Sequence, residues 1–198
     1  MNRKSRSIIT VPLALIPLAI GCSSAPEERE ASYTTVAEVP GRDTSEARRL
    51  HAEAVEKIER ADYEGAQASL ERALSADVTY GPAHNSLGKV YYHLERLYLA
   101  AWEFQYAIKL MPKRPEPRNN LGLVFEKVGK LEDAVQHYEE ACALAPDDPE
   151  LLGNLARARV RRGDRGAEMK ELLEEIVLKD ERPEWVEWAR GASARMRD

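Results

Sequence analysis

The residues that could do chemistry are few, and they do not converge. His51, His84, His93 and His137 have no second histidine three or four places away, and no HExxH or CxxC occurs, so no metal-ligand set is expected. There is no Walker loop, no GxSxG elbow and no GxGxxG, which removes the common frames for phosphate binding and nucleophilic catalysis. The many glutamates fall on faces expected to be solvated, with no apolar wall to raise a carboxyl pKa for acid catalysis. Cys142 follows Ala141 inside an apolar helical pattern and reads as a small buried residue rather than a redox thiol. What remains is recognition chemistry. Asn120 and Asn154 recur 34 residues apart; a primary amide carries both a donor and an acceptor and can pair with a peptide backbone whatever its sequence. Arg157 and Arg161 stand one helical turn apart and suit carboxylates. No enzyme and no cofactor are expected.

Such side chains need a scaffold, and the scaffold is written as an internal repeat. Leu87, Gly88, Tyr91, Ala100, Phe104, Ala107 and Pro112 recur 34 places on as Leu121, Gly122, Phe125, Ala134, Tyr138, Ala141 and Pro146. The Ala, aromatic, Ala spacing of four and three puts those three on one face of a helix. The glycine lets a paired helix approach, and the proline closes the unit. This 34-residue pattern resembles the tetratricopeptide repeat (TPR), a pair of antiparallel helices, A and B, stacked into a solenoid. The fold class is therefore all-α. About four helix-turn-helix repeats are expected over 44–182, the outer two degenerate, followed by a capping helix and tail at 183–198. In the first repeat Ala66, Leu70 and Ala73 fit helix B, but Glu53, Ala54 and Lys57 stand where Leu, Gly and an aromatic belong. In the fourth, Glu168 and Glu175 occupy the two alanine places, although Leu172, Leu173, Ile176 and Val177 keep an apolar face. Trp185, Trp188, Ala189, Ala192 and Met196 fall on one stripe of the last helix, read as a seal on the solenoid end; a partner anchor is the alternative.

The resemblance implies a concave groove lined by the A helices. At the family's ligand-facing places stand Asn85, Ser86, Lys89, Tyr92 and His93, then Asn119, Asn120, Leu123, Glu126 and Lys127, then Asn154, Arg157, Val160 and Arg161. Asn120 and Asn154 would form a ladder similar to the one that holds extended peptides in O-linked GlcNAc transferases. Lys89, Lys127, Arg157 and Arg161 would form a positive strip for an acidic peptide. An equally simple reading makes these asparagines ordinary repeat residues and the arginines a solvated helix end. Glu150 stands where the carboxylate clamp of co-chaperone repeats has a lysine, so that clamp is not expected.

The N-terminus reads as an address. Arg3, Lys4 and Arg6 precede an uncharged apolar run at 8–20 broken by Pro12 and Pro17, too short to span a bilayer and built like a secretory signal. Its end, Leu18-Ala19-Ile20-Gly21-Cys22, resembles the bacterial lipobox, with Ala19 where leucine is usual. The resemblance implies a signal peptide at 1–21, lipid on Cys22, and a cell-envelope location, outer membrane facing the periplasm because Ser23 follows. Residues 23–43 lack an apolar period and are rich in Ser, Pro, Glu and Gly, which reads as a disordered tether. Acidic residues outnumber basic ones 34 to 29, and the basic leader leaves the remainder more acidic still; general nucleic-acid binding is not expected. The expected role is a membrane-anchored adaptor that holds a protein partner for a pilus, secretion, outer-membrane or cell-wall assembly. An enzyme acting on cell-wall material, and a self-assembling structural lipoprotein, are the other readings. Composition does not set the oligomeric state.

Overall fold

The computed structural model describes residues 42–196; the leader, Cys22 and the tether lie outside them. The described residues form nine helices and no strand. They pair as α1 (Thr44–Glu59) with α2 (Tyr63–Ala76), α3 (Gly81–His93) with α4 (Leu97–Leu110), α5 (Glu116–Lys127) with α6 (Leu131–Leu144), and α7 (Pro149–Arg162) with α8 (Ala167–Lys179); α9 (Pro183–Ala194) closes the stack. The architecture is an all-α TPR solenoid of four helix pairs and a terminal helix. Successive A helices touch one another, α1 with α3, α3 with α5 and α5 with α7, which places the A helices on the inner side of the curve.

Helix starts and turns repeat with the sequence. The Asp43 carboxylate accepts from the Glu46 amide at 2.9 Å, Asp62 from Gly65 at 3.0 Å and Asp148 from Glu150 at 2.9 Å, satisfying amides that have no partner inside their own helix. Each A-to-B turn places a left-handed residue at the same point, Ala61 (φ 57°), Glu95 (φ 60°), Gly129 (φ 79°) and Gly163 (φ 97°), each 34 after the last, and the fourth turn adds Gly166 (φ 108°). Glycine adopts that conformation freely; Ala61 and Glu95 hold it against a cost of roughly 1 kcal/mol each.

The packing explains both the strong and the weak repeats. A Cβ added at Gly88 would lie 2.6 Å from Phe104, and one added at Gly122 2.6 Å from Tyr138. The aromatic of helix B therefore rests on the glycine of helix A. The first repeat has Ala54 and Leu70 at these two places, both fully buried. A methyl and a leucine replace a hydrogen and a ring, so the degenerate repeat conserves volume instead of leaving a hole. Its Glu53 and Lys57 form a polar cluster at the solenoid end: Lys57 Nζ donates to Glu53 at 2.7 Å and to Ser69 at 2.8 Å, and the Ser69 hydroxyl donates to Glu53 at 2.9 Å.

In the fourth repeat the expected register is corrected. Glu168 is exposed and Glu175 half-exposed, while Met169, Leu173 and Ile176 are buried with the spacing of four and three. The longer turn through Gly163 and Gly166 slips helix B by one residue, so no acid enters the core. Ala156 and Leu173 then form the same alanine–leucine combination as the first repeat. The terminal helix buries Ala189 and Ala192 and packs Trp188, with Met196 just beyond its end, against the apolar core of the third and fourth repeats, as a solenoid cap must.

Candidate functional site

The inner surface is built from the A helices α1, α3, α5 and α7, and side chains from neighbouring helices meet there in a regular polar ladder. His51 Nε2 lies 2.9 Å from the Ser86 hydroxyl, Asn120 Nδ2 donates to Asn85 Oδ1 at 3.0 Å, and Asn154 Nδ2 donates to Asn119 Oδ1 at 2.9 Å. Each rung joins residues 35 apart, one place more than the repeat. At the next step Gly153 offers no side chain, and the Trp185 ring fills the space, 3.0 Å from where a Cβ would stand.

This arrangement differs from the expected asparagine ladder. Asn120 and Asn154 are not equivalent open amides: Asn119 and Asn154 are both buried and spent on each other. The physical reason is that a buried amide must be paired, and the nearest partner is the asparagine of the adjacent A helix. Asn85 and Asn120 are half-exposed; beyond their mutual bond they retain one amide NH₂ and one carbonyl for a ligand.

The expected positive strip is also partly occupied. Glu126, from α5, is 6% exposed. Its carboxylate accepts from Arg157 Nε at 3.0 Å and Nη2 at 2.9 Å, from Arg161 Nη1 at 2.8 Å and from the Tyr138 hydroxyl at 2.8 Å. Burial pushes the Glu126 carboxyl up, but these four bonds outweigh it and hold it down at about 2. Two guanidinium groups on one carboxylate leave one uncompensated positive charge. Lys127 donates to Glu95 at 2.6 Å, which raises its pKa, and its ammonium lies 4.6 Å from the centre of the Tyr92 ring. Lys89 is exposed and forms no ion pair among the described residues. The arginines were legible at one-turn spacing; their counter-ion was not. Its signal is the offset of 31 and 35 residues from Glu126 to Arg157 and Arg161, the distance between adjacent A helices.

Two hollows lie along this surface. One of about 630 Å³ is lined by His51, Pro82, Asn85, Ser86, Met111 and Pro117 together with Lys113 and Arg114. The other, about 250 Å³, is bounded by Arg157, Glu184, Trp185 and Trp188. The Arg157 guanidinium lies 5.8 Å from the Trp185 ring and that of Arg182 5.2 Å. Apolar floors beside fixed polar groups suit an extended peptide better than a reacting small molecule. No group of three or more His, Cys, Asp or Glu stands close enough to hold a metal among the described residues. The Cys142 thiol is half-buried, and burial pushes its pKa up to about 11, the reverse of an activated nucleophile.

Fold and groove thus define a helical-repeat binding module. The family comparison agrees: the tetratricopeptide-repeat pattern matches residues 46–115 and again 115–148, and the chain is a member of the tetratricopeptide-repeat proteins, whose curved stacks present extended binding surfaces. Solved structures give the same fold at low identity. YrrB, described as a TPR protein with an unusual peptide-binding site, is 21% identical with a TM-score of 0.62, over 75% of this chain and 76% of that one. The first TPR of Spaghetti (RPAP3), bound to the HSP90 peptide SRMEEVD, is 18% identical with a TM-score of 0.61, over 63% of this chain and 99% of that one. MamA from Desulfovibrio magneticus RS-1 is 19% identical with a TM-score of 0.58, over 73% and 76%. No curated protein matches the chain as a relative.

Proposed function

We propose that this protein is a lipid-anchored adaptor of the bacterial envelope that holds an extended, acidic segment of a protein partner along its inner groove. The observation that carries the peptide chemistry is the pair Arg157 and Arg161 converging on the single carboxylate of Glu126, which fixes two guanidinium groups and leaves net positive charge on an acidic chain. A partner carboxylate gains a charge-assisted bond there, roughly twice as strong as a neutral one. Asn85 and Asn120 supply the amides for its backbone, Lys89 and Lys127 flank it, and the hollow beside Trp185 accepts an apolar side chain. Two of the similar structures support the peptide reading by their descriptions, one carrying an acidic peptide and one a peptide-binding site. The anchor rests on the sequence from Arg3 to Cys22, and the outer membrane facing the periplasm is its proposed place. Envelope assemblies such as pilus, secretion, outer-membrane or cell-wall machinery are the proposed setting.

The test is affinity capture from crosslinked envelopes, comparing the native chain with a Lys89→Glu, Arg161→Gln variant. These two positions are exposed, so the variant keeps the fold while the groove loses two cations. Capture of the same partner at the native level by the variant sinks the groove reading.

A further inference from the structure

The outer face of α4 carries a feature that the groove does not use. Tyr98, Trp102 and Tyr106 follow one another at intervals of four, on one helix face, and are 79%, 51% and 40% exposed, with Leu99 and Leu110 exposed beside them. The fold does not ask for aromatics here. At the equivalent places α6 has Glu132, Gln136 and Glu140, and α2 has Glu64, Ala68 and Arg72. Two of the three rings are also held in place. Tyr106 stacks on His84 with centroids 5.3 Å apart, and Trp102 lies 5.8 Å from Tyr106. His84 is itself fixed between the Glu103 carboxylate at 2.6 Å and the Val78 carbonyl at 2.8 Å.

We propose that this stripe is a self-association surface, on which a second copy of the chain packs its own α4 antiparallel across a two-fold axis at Trp102. An isologous contact requires that if residue i meets j, then j meets i. Reversing α4 about Trp102 sets Tyr98 of each copy on Tyr106 of the other, and Trp102 on Trp102, so each ring meets a ring. Area selects this occupant. With about 150–250 Å² per aromatic side chain, the stripe and its two leucines present on the order of 600 Å² per copy. The pair then buries roughly 1,200 Å², the lower bound for a specific interface, and a patch of this size is uncommon on a monomer. An anionic bilayer fits less well, because the start of the adjoining α6 carries the exposed acids Glu132 and Asp133, which anionic headgroups repel.

The geometry gives the contact a signature. The two-fold that reverses α4 sets α6 over α6, so the acidic flanks of the two copies oppose each other. Association therefore strengthens as salt screens that repulsion, whereas binding to a basic partner weakens. The experiment uses the full chain in detergent. Sedimentation velocity at about 50 µM should show a dimer whose fraction rises with salt; Trp102→Glu with Tyr98→Glu should raise the dissociation constant by more than roughly a hundredfold without moving the melting temperature. In membranes, Tyr98→Cys co-expressed with Tyr106→Cys should form disulfide-linked dimers. Tyr98→Cys alone should not, because two copies of residue 98 stand about 12 Å apart along antiparallel helices. A monomer at all salt concentrations, a dimer that dissociates with salt, or equal crosslinking in the single and mixed samples overturns the proposal.

Discussion

Arg157→Ala is expected to destabilise the protein by about 2–3 kcal/mol, and Arg161→Ala by less than about 1 kcal/mol. Both arginines contact Glu126, but not equally. Arg157 supplies two bonds at 2.9 and 3.0 Å and is about one-third exposed; Arg161 supplies one at 2.8 Å and is half exposed. Stripping a partner from a buried carboxylate typically costs about 3–5 kcal/mol. Here the Tyr138 hydroxyl and Arg161 still hold Glu126 after Arg157 is lost, and solvent reaches the vacated side, which reduces the figure by about a third to a half. Losing the contact with the Trp185 ring adds about 0.5 kcal/mol. Arg161, screened by solvent, behaves as a surface pair. Urea unfolding of both variants, followed by far-ultraviolet circular dichroism, measures the difference. If Arg157→Ala costs no more than Arg161→Ala, Glu126 is not the buried anion that organises this end of the groove. The same asymmetry guides the binding experiments: Arg157 cannot be reversed in charge to probe partner capture, because a second carboxylate would then face the buried Glu126, whereas Arg161 can be neutralised.

Acid should unfold the protein through Glu126 and Asp77. Both are held at about 2 in the fold, against ordinary values of 4.5 and 3.8, so their stabilisation is full above about pH 4.5 and is lost as pH falls toward 2; a thermal melt series from pH 7 to 2 should fall mainly in that window, and in Arg157→Ala, whose Glu126 carboxyl is less depressed, the fall should be smaller and should end at higher pH. Gly122→Ala should cost about 1–3 kcal/mol through the clash with Tyr138, and Tyr138→Leu, which also removes a bond to Glu126, should cost less in that background than alone because it rebuilds the alanine–leucine pair of the outer repeats; additive penalties in the double-mutant cycle would refute the volume argument. Ala61→Gly should stabilise by about 0.5–1 kcal/mol by relieving the left-handed turn, read from the melting temperature. Cys22→Ala should leave the precursor uncleaved and unlabelled by palmitate; a variant that still labels and partitions into detergent removes the anchor.

The repeat was legible because a 34-residue period with glycine, aromatic and alanine at fixed places encodes a packing rule, and Gly122 against Tyr138 is that rule in space. Its outer versions were harder to read. Ala54 with Leu70 conserves volume without conserving identity, and the slip in α8 turns on a single extra residue near Gly166 that a fixed offset cannot register. The groove was legible as a set of positions but not as a set of free groups. Asn154 and Asn119, like Arg157 and Glu126, bond across 31 to 35 residues, and a sequence shows which side chains face inward without showing which of them are already engaged. The Tyr98, Trp102 and Tyr106 stripe is illegible in the sequence for another reason: aromatics at helical spacing ordinarily signal a core, and only the exposure of these rings on α4 shows otherwise.

The rungs between adjacent A helices have a mechanical consequence. His51 with Ser86, Asn85 with Asn120, and Asn119 with Asn154 all lie on the inner curve, so straightening the superhelix stretches every one of them, while tightening it stretches none. The stack therefore behaves like a leaf spring with tie-rods on its short side, stiff against opening. At Gly153 the series of ties stops, and a tryptophan ring takes their place as a sliding contact without a directional bond. Bending compliance is thereby concentrated at the joint between the fourth repeat and α9, and a load applied through a bound partner would be taken up there first.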